Sequence, residues 1–80
     1  MTTTEQLRAE RAELYRQRTV QYELRGAALD AASAAGAAEG DPLPEPLQRA
    51  YDAYTAEIGR LNGEIAELDE QIATEEEQNR

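Results

Sequence analysis

The 80-residue sequence has no cysteine, histidine, lysine, tryptophan or phenylalanine. Without Cys there is no disulfide, no thiolate nucleophile and no soft metal ligand, and without His the commonest general base is missing. No apolar run approaches the roughly 20 residues needed to cross a bilayer. The opening Met1-Thr2-Thr3-Thr4-Glu5 lacks the basic and apolar regions of a signal peptide. The expectation is a cytoplasmic protein, of a cell or inside an infected one, without membrane association.

Large aliphatic residues are also scarce, with 8 Leu, 3 Ile and 1 Val. Positive charge is limited to 8 Arg against 17 Asp and Glu, a net charge of −9. Few large apolar residues with high net charge is a composition typical of disorder. Against this, Ala, Glu, Leu and Arg make up more than half of the chain, which suits long helices if a period of 3.5 to 3.6 residues is present.

The second half has that period. Leu47, Tyr51, Tyr54, Ile58, Leu61, Ile65, Leu68 and Ile72 follow one another at steps of four and three without a fault. This is a heptad pattern, with Tyr51 and the isoleucines on one row and the leucines and Tyr54 on the other. Disorder has no reason to keep such spacing. Pro44-Glu45-Pro46 marks the helix start, because proline is tolerated in a first turn and an early acid suits the positive end of the helix dipole. Glu75-Glu76-Glu77 places three acids at the negative end, where fraying is expected.

The first half should form a helix from about residue 4, capped by Thr3 or Thr4, to about residue 37. Gly26 and Gly36, read as interior, would each cost about 1 kcal/mol relative to Ala. One stripe runs Leu7, Arg11, Tyr15, Arg18, Tyr22, Arg25, Leu29, Ala32, and a nearly opposite one runs Val20, Leu24, Ala27, Ala31, Ala34, Ala38. A proline-rich turn at about 38–44 separates this helix from a second at about 45–77, since Pro42 and Pro44 forbid a continuous helix.

Two helices of equal length, each roughly 50 Å at 1.5 Å per residue, should fold back on one another. The predicted fold is all-α, an antiparallel two-helix hairpin, coiled-coil-like, that packs into a larger helical assembly. A parallel dimer through the second helix is the competing arrangement. If the turn centres near Asp41 or Pro42, facing residue numbers sum to about 83. Ala28, Ala32 and Ala35 then face Tyr54, Tyr51 and Leu47. Tyr15 and Tyr22 approach Leu68 and Leu61. Arg25, Arg18 and Arg11 come near Glu57, Glu64 and Glu70 or Glu75. The expected seam joins Leu7, Tyr15, Tyr22 and Leu29 to the heptad series of the second helix.

Catalysis is not expected. Ser33 is the only serine, with no His or Lys to activate it. A hairpin offers no cleft that would desolvate a pair of carboxylates. No phosphate loop, cofactor site or metal site is expected, since adjacent glutamates on a helix point in different directions. Arginine with tyrosine can form a nucleic-acid stacking platform, but a charge of −9 opposes approach to phosphates.

The expected function is protein–protein. Ala56, Gly59, Gly63 and Ala66 recur on the back of the second helix, where small residues let another helix come close. Val20, Leu24, Ala27 and Ala31 form a like stripe on the first. These eight are the candidate partner-binding residues, for a homo-oligomer or a subunit of a larger complex, such as a small structural component of a phage particle. The alternative is an acidic inhibitor or regulator that docks on a basic enzyme or nucleic-acid-binding protein, which added salt would release steeply.

Overall fold

Pro44 sets where the second helix begins. Its carbonyl accepts the first helical hydrogen bond, from the Gln48 N–H at 2.9 Å, and Glu45 and Pro46 occupy the first turn. Proline there forfeits only an N–H that has no partner in any helix. The computed structural model describes residues 3–36, 38 and 40–78, and comprises two helices, α1 (Thr3–Ala34) and α2 (Glu45–Gln78). They lie antiparallel in a rod of 57 × 17 × 17 Å.

The first helix ends three residues short of the expected boundary. Gly36 has φ +97°, and its N–H donates to the Ser33 carbonyl at 3.0 Å. The residue is therefore a left-handed helix terminator and not an interior glycine. Ala35, expected against Leu47, is exposed just beyond this end. Asp41 closes the turn, accepting the Ala38 N–H on Oδ2 at 2.9 Å and donating its own N–H to the Ala38 carbonyl at 3.0 Å. Ala37 and Glu39, at the helix end and in the expected turn, lie outside the described residues. At the other end Thr4 Oγ1 is buried without a hydrogen-bond partner, so Thr4 does not act as the expected cap.

The core is a single line of side chains. Ile58, Leu61, Ile65, Leu68 and Ile72 of α2 are buried, with Leu61 fully so, as are Ala28 and Ala32 of α1, and Leu7 and Leu14 of α1 are half-buried. Burying a Leu or Ile contributes about 1.5–3 kcal/mol. Leu47, Tyr51 and Tyr54 are half-buried near the turn, where small Ala28 and Ala32 leave room for large partners.

On α1 the inward residues are Thr4, Leu7, Arg11, Leu14, Arg18, Gln21, Arg25, Ala28 and Ala32, stepping by three and four throughout. This corrects the expected seam. Tyr15, Tyr22 and Leu29 stand one position further round the helix and are 38%, 44% and 47% exposed. The arginine stems lie along the groove in their place and keep their charged heads at its edge, as amphipathic side chains do.

Candidate interaction surfaces

The seven-residue spacing gives the hairpin two unlike flanks. On the first, Arg11, Arg18 and Arg25 of α1 reach across to Asp69, Asn62 and Thr55 of α2. Arg11 donates to Asp69 Oδ1 at 2.6 Å, Arg18 to Asn62 Oδ1 at 2.8 Å and Arg25 to Thr55 Oγ1 at 3.4 Å. Donors and acceptors both recur every seven residues, so the ladder is built by the helix repeat. Arg8 continues it to Glu76 near the open end.

The acceptors change along the ladder from carboxylate to amide to hydroxyl. Asp69 raises the Arg11 pKa above its ordinary value, chiefly through their hydrogen bond. Among the described residues Arg18 and Arg25 form no ion pair. Each stacks on tyrosine instead, Arg18 at 4.9 Å from the Tyr15 ring centre and Arg25 at 5.2 and 5.5 Å from those of Tyr22 and Tyr51. Cation–π contact is worth about 0.5–1 kcal/mol at exposed sites and leaves the positive charge in place.

The expected partners Glu57 and Glu64 belong to the opposite flank, which is why the arginines of α1 do not meet them. Arg60, within α2, holds both, Glu64 at 3.0 Å. That contact lowers the Glu57 pKa from its ordinary value, chiefly through hydrogen bonding, and raises that of Arg60. On α1, Arg16 and Gln17 likewise lower the Glu13 pKa.

Between the helices on this second flank runs an open groove. Leu14 and Leu68 form its floor, and Glu10, Glu13, Glu64, Glu67 and Gln71 form its rim together with Ala9. Toward the turn the same side of α1 presents exposed Val20, Leu24, Ala27 and Ala31. Ala56, Gly59, Gly63 and Ala66 are exposed on the back of α2, and a Cβ added to either glycine would meet no atom within 4 Å. The proposed partner-binding residues are therefore all at the surface, but the two stripes do not form one face. Leu29 borders a hollow with Ala32, Ser33 and Leu43 beside the turn.

No group of three or more acidic, His or Cys residues among the described ones could hold a metal ion. No helix is long and apolar enough to cross a membrane. Arg18 and Arg25 lie on the Arg–Tyr stripe read from the sequence, but their acceptors are Asn62 and Thr55 and not the expected glutamates, and Leu14 was missed altogether. The signal was an uninterrupted alternation of three and four in which Arg and Gln hold positions usually apolar. No protein-family model, curated protein or solved structure matches this chain.

Proposed function

We propose that the chain is a non-enzymatic assembly subunit, a coiled-coil-like hairpin that packs beside other helices in a larger complex. The supporting observation is what the hairpin leaves uncovered. Val20 and Leu24 are 45% and 40% exposed, and Gly59 and Gly63 sit four apart on an exposed face of α2. Glycine inside a helix is destabilising by about 0.8–1.0 kcal/mol relative to Ala. Among the described residues, nothing beyond the helix's own backbone approaches either glycine closely enough to need one. A neighbouring helix at close range supplies such a reason. A single line of core residues is also a small core, and association is a common remedy.

Light scattering of the purified chain tests the reading. The wild type is expected to exceed the 8.9 kDa of one copy. Gly59→Leu with Gly63→Leu should raise helicity and reduce that mass. A wild-type chain that stays at one copy, or a variant that assembles unchanged, counts against packing through this face.

A further inference from the structure

Resting on that assembly reading, we infer a second contact, apart from the glycine face of α2, that joins unlike flanks of two copies, the Arg–Tyr flank of one hairpin docking on the glutamate-rimmed groove of the next. The occupant follows from charge complementarity within one molecule. Arg18 and Arg25 bond to a neutral amide and a neutral hydroxyl, and among the described residues no carboxylate pairs with either charge. Exposed Tyr15 and Tyr22 stand beside them. Across the rod, Leu14 and Leu68 floor a groove rimmed by Glu10, Glu13, Glu64 and Glu67. Among the described residues, only Glu13 and Glu64 on that rim have an arginine partner.

A tyrosine ring suits the apolar floor, and its flanking guanidiniums suit the rim, where Arg and carboxylate form charge-assisted pairs. Like-to-like contact would set Arg against Arg or Glu against Glu, which like-charge repulsion disfavours. The patches differ in height. Tyr22 lies roughly one heptad closer to the turn than the Leu14–Leu68 floor, about 10 Å at 1.5 Å per residue. Parallel neighbours are therefore stepped by that amount. An unlike-flank contact is heterologous, so it builds a ring or an open row and does not close at two copies.

The test is light scattering over a concentration series with two double variants at exposed positions. The wild-type mass should climb past two copies. Glu10→Arg/Glu67→Arg makes both flanks positive, and Tyr15→Glu/Tyr22→Glu puts acid on both. Each alone should fall below the wild-type mass, to what the glycine face of α2 alone supports, with its helical circular dichroism intact. An equimolar mixture should assemble again, because each altered flank then meets a complementary one. Should a double variant lose helicity, the single changes Glu67→Arg and Tyr22→Glu repeat the measurement. A wild type that stops at two copies, double variants that assemble like the wild type, or a mixture that stays at the lower mass of the single variants overturns the unlike-flank contact while leaving the assembly reading in place. A wild type that is a single copy at every concentration overturns both.

Discussion

Arg18 crosses the seam to donate to Asn62 Oδ1 at 2.8 Å, a position where one rung further along Arg11 finds the carboxylate of Asp69. The rungs are seven residues apart and differ in the charge of the acceptor. Asn62→Asp should therefore complete an ion pair and raise hairpin stability by up to about 1 kcal/mol, the range for exposed pairs. It should also cancel the positive charge that the docking flank presents. Thermal unfolding and light scattering on the same variant are expected to move oppositely, with a higher melting temperature and a lower assembled mass.

Leu61 is fully buried at the centre of the core line, so Leu61→Ala removes contacts from both helices at once. The expected loss is about 2–5 kcal/mol, the range for truncating buried Leu. The hairpin has one row of core side chains, so this loss should appear as outright unfolding at room temperature, read by helical circular dichroism.

Gly36 and Gly26 should respond to the same change with opposite sign. Gly36 holds φ +97°, a conformation that costs an L-residue roughly 1–2 kcal/mol. Gly26 is inside α1, and a Cβ there meets nothing within 4 Å. Gly36→Ala should lower stability by about that amount. Gly26→Ala should raise it by about 1 kcal/mol. Urea unfolding of the two variants side by side checks the pair.

Glu57, gripped by Arg60, has a folded pKa below that of an unpaired glutamate. Its pairing therefore stabilises the folded state above the ordinary carboxylate range and is lost as pH falls through the lowered folded pKa. NMR titration of the Glu57 carboxyl carbon should give a midpoint below the ordinary glutamate value. Arg60→Gln should move that midpoint upward.

Much of the fold was legible because α2 obeys the apolar heptad without exception, and because Pro42, Pro44 and Pro46 permit only one break. The seam on α1 was not, because its inner row reads Thr4, Arg11, Arg18, Arg25, Ala32 and its other row ends in Gln21 and Ala28. A search for large apolar side chains slides off that row onto Tyr15, Tyr22 and Leu29, which are bulkier but lie to one side. An arginine stem fills a groove almost as an aliphatic chain does, yet its head group makes it count as surface. The early stop at Gly36 was hidden for a related reason. Alanines on either side favour helix so strongly that only the backbone conformation reveals which glycine ends it.

The ladder does not by itself set the alignment of the two rods. Slid by one repeat, Arg18 would meet Asp69 and Arg11 would meet Glu76, but Arg8 would give Glu76 up, so the ion pairs across the seam would still number two among the described residues. Electrostatics alone would thus not choose between the two settings. What opposes the slide is packing beside the turn: α2 would project about 10 Å past the end of α1, and Leu47 and Tyr51, now half-buried, would lose the cover of its last turns.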